Sequence, residues 1–392
     1  MQDVFIVSAA RTPVGRRNGV LRGWLVPELL GSVLDEVVRR IDLDPAIVDD
    51  VINGTVYQVG EQGFTLARTG VFASRFPSTV PGVCVNRQCG SSLTAIQLAA
   101  GMIASGVMDV VIASGCEVMS KYPIASDFGG TLPDGRDQGS PFGPFYVERV
   151  EGKIYNQAQA AEAIAARWSI TKERCDAFAV SSHAKAHAAT QAGHFDREIV
   201  PTRGLDADGR EITVSRDETI RPDTSLEKLA ALKPVLGTKL ITAGISSPVT
   251  DGASAVVLAS GRRTRELGLE PIARVVASAV VGSDPVLMLT GPIQATPRVL
   301  ERAGLTMADI DLFEVNEAFA PIPLAWLAEL GAPEEKLNPC GGAIALGHPV
   351  GNSGCRLCVT ALHELQRMKG RYALVTLCTG GAMAPATIFE RT

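Results

Sequence analysis

A chain of 392 residues, 46% of them apolar and 20% charged, has the length of two to three ordinary domains and enough material for a large buried core. Its 37 basic residues stand against 42 acidic ones for a net charge of -5, which excludes the electrostatic footprint of a nucleic-acid or anionic-membrane binder, and its apolar content excludes disorder. Eight cysteines are too sparse for a disulfide framework and lie in apolar or glycine-rich contexts, so free thiols in a reducing compartment are expected.

The sequence opens into Gln2-Asp3-Val4-Phe5-Ile6-Val7 without a basic leader, and no run of about 18 apolar residues follows anywhere. A soluble, cytoplasmic protein is expected. Short β-branched runs then alternate with Ala/Leu-rich stretches of helical period, the pattern of an α/β domain with strands buried on both faces. Asp49-Asp50 leads into the strand Val51-Ile52-Asn53-Gly54, a small-residue turn follows at Cys89-Gly90-Ser91-Ser92, then a helix from Leu93 to Ile103 and a strand over 109–115.

Residues 119 to 249 differ in texture. A Gly/Pro/Asp-rich stretch over 123–150 carries Phe128, Phe142, Phe145 and Tyr146, and a helical stretch runs from Gln157 through His187, as in an inserted loop subdomain. The strand Ala253 to Ala259 returns the chain to the first half. Then the early order repeats at an offset of about 260 residues: an acidic turn at Asp309-Ile310-Asp311, the strand Leu312-Phe313-Glu314-Val315, a Gly-rich turn from Gly341 to Gly354, a helix through Leu365 and the strand 372–377. The expected organisation is a first half of 1–118 plus 250–268, an insertion of 119–249, and a second half of 269–392. Two such units packed through shared helices place both small-residue turns at one cleft.

Cys89 before a helix is a candidate nucleophile, because the helix dipole and unpaired N–H groups are expected to lower its thiol pKa and to hold an oxyanion. His348 lies in the Gly-rich turn at the repeat position of Cys89, so a Cys/His pair is expected. That turn lacks the Gly-Lys-Ser/Thr ending of a phosphate loop. Asn316-Glu317-Ala318 and Cys378-Thr379-Gly380-Gly381 each follow a buried strand, where α/β sheets place their sites. An amide, an imidazole and two thiols at one cleft suit acyl transfer through a thioester, with a second group to move a proton at an α-carbon. Cys355 and Cys358, without a second pair, are expected to be structural, as are Cys84, Cys116, Cys175 and Cys340; His183 and His187 are expected on a helical surface; no metal is expected.

Through these motifs the chain resembles the thiolase family over essentially its whole length. Further matching segments are Ser8-Ala9-Ala10-Arg11-Thr12-Pro13, Ser182-His183-Ala184-Lys185-Ala186, Gly193-His194-Phe195, Glu198-Ile199-Val200-Pro201, Ile220-Arg221-Pro222-Asp223 and Asp251-Gly252-Ala253. The resemblance implies the thiolase fold, with duplicated α/β halves in a layered αβαβα core. It also implies roles: Cys89 as the acylated nucleophile, His348 as its base, and Cys378 as the acid/base at the α-carbon. Asn316, through a water, and His348 are implied to hold the enolate oxygen, and the N–H groups of Cys89 and Gly380 the acyl oxyanion. Arg221 and Ser247 match positions that contact coenzyme A, which enters as substrate; no tightly bound cofactor is expected. The implied assembly is a homodimer or homotetramer, with no nucleic-acid or membrane partner.

Two departures bear on the substrate. Asn156-Gln157-Ala158 stands where short-chain acetoacetyl-CoA thiolases carry His-Met-Gly, and Cys378-Thr379-Gly380-Gly381-Ala382 replaces Cys-Ile-Gly-Gly-Gly. With Gly15-Arg16-Arg17-Asn18-Gly19 and Gly60-Glu61-Gln62, the first departure is similar to bacterial thiolases that degrade steroid or other bulky acyl-CoA esters. The expected activity is cleavage of a 3-ketoacyl-CoA by coenzyme A. The alternatives are a biosynthetic acetoacetyl-CoA thiolase and a non-catalytic acyl-CoA or lipid-binding protein.

Overall fold

Strands that are apolar on both faces need cover on both, and the arrangement of helices supplies it. The computed structural model describes residues 2–132 and 134–392. Its strands are β1 (Val4–Arg11), β2 (Gly15–Arg16), β3 (Asp50–Gly54), β4 (Gly82–Val85), β5 (Val110–Val118), β6 (Thr202–Leu205), β7 (Glu211–Val214), β8 (Thr250–Ser260), β9 (Ala273–Gly282), β10 (Leu312–Val315), β11 (Tyr372–Thr376) and β12 (Met383–Arg391). Its helices are α1 (Val26–Arg39), α2 (Leu66–Phe72), α3 (Ser91–Ala104), α4 (Pro144–Arg149), α5 (Gln157–Arg167), α6 (Lys172–Gln191), α7 (Leu226–Ala230), α8 (Gly261–Glu266), α9 (Gly291–Ala303), α10 (Pro321–Leu330), α11 (Ala343–Leu346) and α12 (Ser353–Met368).

One sheet runs β10-β11-β12-β9-β1-β8-β5-β3-β4, with β2 on β8 and a separate β6-β7 hairpin. The two halves join through β1 and β9 by only two pairs, Phe5 with Arg274 and Ile6 with Ala273. What pattern reading describes as two sheets is therefore a continuous ladder with a narrow waist. Each half contains a parallel pair with a helix between its strands, β3-α3-β5 and β10-α12-β11. Counterparts start 262 residues apart: Asp50 and Leu312, Ser91 and Ser353, Val110 and Tyr372. At this spacing Cys89 corresponds to Gly351 and His348 to Asn86, so the two are not repeat-equivalent as the motif offset suggests.

The period of two along each strand sorts side chains into layers. Val110 and Ile112 of β5 pack with Leu29, Leu30 and Val33 of α1 and Val71 of α2. Val111 and Ala113 face the other way, into a cluster with Leu93 and Ile96 of α3, Leu357 of α12, and Ala373 and Val375 of β11. Leu374 faces outward again, with Val299 of α9 and Trp326 of α10. The result is helix, sheet, helix pair, sheet, helix: the layered α/β core expected. Each such buried aliphatic side chain contributes about 1.5–3 kcal/mol, and α3 and α12, each buried along most of its length, form the centre.

The central pair packs backbone against backbone, which is why small residues crowd its N-terminal turns. A Cβ on Gly54 would stand 2.3 Å from the Ser92 nitrogen, and one on Gly354 2.3 Å from that of Leu93. The Cys355 N–H donates to Ser92 Oγ at 2.8 Å. These contacts bring the Cys89 turn and the Gly341–Gly354 turn together. Between the halves in sequence, α5 and α6 set Ala161, Ile164 and Phe178 against the α9/α10 cluster, and Phe128, Phe142 and Tyr146 stack edge to face at 5.7 and 5.0 Å.

Candidate active site

The chain turns sharply between β4 and α3. Gln88 takes a left-handed φ of 51°, the Gly90 N–H donates to Arg87 O at 3.1 Å, and Ser91 Oγ bridges the turn by accepting from Arg87 N at 2.9 Å and donating to Gln88 O at 2.5 Å. This presents Cys89 just ahead of α3, buried at 4% exposure. A Cβ on Gly90 would lie 2.8 Å from Thr379 Cγ2 and from Pro385 Cγ, so this turn leans on the Cys378 segment. The expected depression of the thiol pKa does not occur. Burial pushes Cys89 up to about 11, although N–H groups of Gly380 and Cys89 itself and the Gln157 amide pull it down. The thiol has lost more hydration than the donors return.

Cys378 follows β11 and is also buried. Burial, and then the charge of Cys89, push its thiol far above the ordinary range, which places the two sulfurs in one low-dielectric space. Met383 O accepts from Thr379 N at 3.1 Å and Thr379 Oγ1 at 2.9 Å, closing a turn with left-handed Gly381 (φ 75°) and Ala382 (φ 59°). The turn aims the Gly380 N–H at the Cys89 sulfur.

His348 is buried, and its surroundings fix its proton. Nδ1 lies 2.6 Å from Ser353 Oγ, whose hydroxyl donates to Pro349 O at 3.0 Å. Oγ must then accept from Nδ1–H, which leaves Nε2 as the unprotonated, accepting nitrogen. Nε2 sits 3.4 Å from Asn316 Nδ2. Burial, then Arg356, depress the imidazole to about 3, so it is a neutral base at physiological pH. Asn316 Oδ1 is buried with no protein donor among the described residues.

Two buried carboxylates, whose roles the sequence does not signal, pin the His348 loop at either end. Glu317 accepts from Ser182 Oγ at 2.7 Å, Asn338 Nδ2 at 2.8 Å and the Ile344 N–H at 3.1 Å. Glu117 accepts from the N–H groups of Val56 (2.8 Å), Tyr57 (3.2 Å) and Gly351 (3.0 Å) and from Gln62 Nε2 (2.6 Å). Burial raises Glu117 to about 7 even so.

Arg221 and the flanks of Ser247 line one cavity, with His183, Thr219, Ser246, Pro248 and Ile344. Ser247 donates through N and Oγ to Ala318 O at 3.0 and 3.2 Å, tying the cavity to the Asn316 segment. His183 is not on the helical surface expected for it. It is 6% exposed and Nδ1 accepts the Arg221 N–H at 3.1 Å, with burial depressing it to about 4; His187 is half-buried. Asn156 is the N-cap of α5, in a reciprocal capping box with Gln159, so of the Asn-Gln departure only Gln157 reaches the site, where its Nε2 would lie 3.4 Å from a Cβ on Gly380. Cys355 and Cys358 are buried in α12, and all eight cysteines are free.

The chain matches the family "Thiolase, N-terminal domain" over residues 4–262 and "Thiolase, C-terminal domain" over 269–391. It is 42% identical to the steroid 3-ketoacyl-CoA thiolase FadA6 of Mycobacterium tuberculosis, over 100% of this chain and 95% of that one, and 42% identical to a 3-ketoacyl-CoA thiolase of Cronobacter sakazakii over the full length of both. Among solved structures it superposes on human mitochondrial 3-ketoacyl-CoA thiolase with a TM-score of 0.90 at 36% identity, covering 100% of this chain and 99% of the other. The Bacillus anthracis acetyl-CoA acetyltransferase gives 0.91 at 37%, with the same coverage. Two family domains spanning nearly the whole chain, on a layered fold that gathers two thiols, an imidazole and an amide, identify the chain as a member of the thiolase family of acyltransferases.

Proposed function

We propose that the protein cleaves a 3-ketoacyl-CoA with coenzyme A, through an acyl group carried on Cys89. The observation that carries this reading is the pairing of two buried thiols, Cys89 and Cys378, with the Gly380 N–H on the Cys89 sulfur. His348 Nε2 takes the Cys89 proton as the sulfur attacks the 3-keto carbon, and the N–H groups of Cys89 and Gly380 hold the oxyanion. Collapse breaks the bond between carbons 2 and 3. The electron pair passes into the thioester of the departing acetyl-CoA as an enolate, stabilised by His348 and by a water donating to Asn316 Oδ1, and Cys378 gives carbon 2 its proton. Cys378 then takes the thiol proton of incoming coenzyme A, whose sulfur displaces Cys89 to release the shortened acyl-CoA, and the departing Cys89 sulfur recovers its proton from His348. Arg221 and Ser247 are assigned to the nucleotide and pantetheine ends of coenzyme A.

A degradative role with a bulky acyl group is supported by Gln157, where a short-chain enzyme carries Met, and by the name of the steroid-specific relative. The test compares kcat/KM for acetoacetyl-CoA and a ring-bearing 3-ketoacyl-CoA, with mass spectrometry of the protein during turnover. A higher value for the bulky ester, an acyl adduct on Cys89, and turnover abolished in Cys378→Ala are expected. A preference for acetoacetyl-CoA removes the bulky-substrate reading; no adduct and no turnover remove the catalytic one.

A further inference from the structure

Away from the two thiols, three side chains with metal-ligand chemistry converge. His194 lies in the turn after α6, Cys340 between β10 and α11, and Glu364 on α12; one ligand atom of each falls within 4.8 Å of the others. His194 Nδ1 is 4.0 Å from Cys340 Sγ. Cys340 and Glu364 are buried and His194 is half exposed. Tetrahedral zinc, with bonds of about 2.0–2.3 Å, holds such donors about 3.4–3.6 Å apart, so the His–Cys pair needs to close by only about half an ångström.

The electrostatics favour a cation at this point. Burial, followed by the neighbours Glu364, Glu198 and Glu314, keeps the Cys340 thiol protonated, and Glu364, the one of the three that reaches the cluster, offers a cation its negative charge. Ala186, Phe195, Ala345 and Leu346 wall the cluster with apolar surface, which strengthens metal–thiolate attraction. Burial pushes the Glu364 carboxyl up, but Arg367 overcomes it and keeps the group anionic. Arg367 is the competitor, pairing with both Glu364 oxygens at 2.7 and 2.5 Å. Its side chain is 46% exposed, so it can swing into solvent and leave the carboxylate to a cation.

We propose that His194, Cys340 and Glu364 form a site for a zinc-class divalent cation, with solvent as the fourth ligand. Binding replaces the Cys340 S–H bond by a metal–sulfur bond and releases the proton to solvent. Because Cys340 immediately precedes the glycines that open the His348 loop, the cation fastens the root of that loop to α12 and to the turn after α6.

Cobalt(II) titration of the metal-free, full-length protein tests this, read by thiolate-to-cobalt charge-transfer absorption and by displacement with zinc. One equivalent per chain is expected. It weakens by about tenfold or more in Cys340→Ser and in His194→Gln, tightens in Arg367→Met, and persists in Cys89→Ala and Cys378→Ala. His194→Gln alters a half-exposed side chain, so it tests the site even if Cys340→Ser fails to fold, which circular dichroism reads. No bound equivalent, one unchanged in His194→Gln, or one lost in Cys89→Ala overturns the proposal.

Discussion

At Cys89 a helix N-terminus and a dry pocket act in opposite directions, and burial is the larger. The Cys89 thiol and the His348 imidazole are therefore both neutral at rest, not a preformed thiolate and imidazolium. In the proposed reaction, charge develops only as substrate enters and the oxyanion donors engage, which leaves the resting thiol slow toward stray electrophiles. The sign gives a measurable profile: a thiol raised from 9.0 to about 11 makes alkylation of Cys89 by iodoacetamide rise about tenfold per pH unit across the neutral range, levelling only well into alkali. A plateau near neutral pH, read by peptide mass spectrometry at Cys89, would sink this account. Cys89, His348, Asn316 and Cys378 are legible in the sequence because each follows a strand or sits in a turn of small residues. The pKa directions are not, because burial is a property of five layers and not of any local segment.

The element that matters most for chemistry is the loop from Gly341 to Gly354, because its backbone has to hold an imidazole within a few tenths of an ångström. It contains only one short helix, and its rigidity comes from Glu317 at one end and Glu117 at the other. Glu117→Gln keeps the shape but substitutes one amide oxygen, and an NH2 group, for a carboxylate that accepts from four donors. The expected result is a loss of about 2–3 kcal/mol of stability and a fall in kcat larger than any change in KM, measured by urea denaturation and steady-state kinetics. Wild-type kcat and stability together would remove Glu117 as a positioning residue. This element is half legible. Its glycines and His348 stand out, but its anchor Glu117 lies 234 residues from Gly351 in an apolar strand, where nothing local marks it. The motif-to-motif spacing between Cys89 and His348 likewise misleads by three residues, because chemical motifs sit at different depths in the two strand–helix turns, whereas the backbone repeat holds at 262.

For the whole molecule the alternation of strands and helices already dictates layers, and the duplicated order dictates two halves; the narrow β1–β9 waist that makes one sheet of them rests on a two-residue register no pattern encodes. The two ends of that sheet are treated differently. Along β10, Leu337 bridges Phe313 and the Asn338 side chain bonds both backbone groups of Val315, so that edge is closed. Beyond β4 no strand pairs among the described residues, and the elements beside it expose Phe64 (93%), Phe72 (61%) and Leu98 (46%), with Val83 of β4 itself at 42%. An open apolar edge of this kind invites a strand of the same chain, since a two-fold axis lets one edge complete the other. Light scattering after size exclusion is expected to give at least a dimer for the wild type, and a monomer for Val83→Lys, whose charge is disfavoured between paired edges. A monomeric wild type, or a variant that keeps its mass, would assign the apolar edge to something other than a second copy.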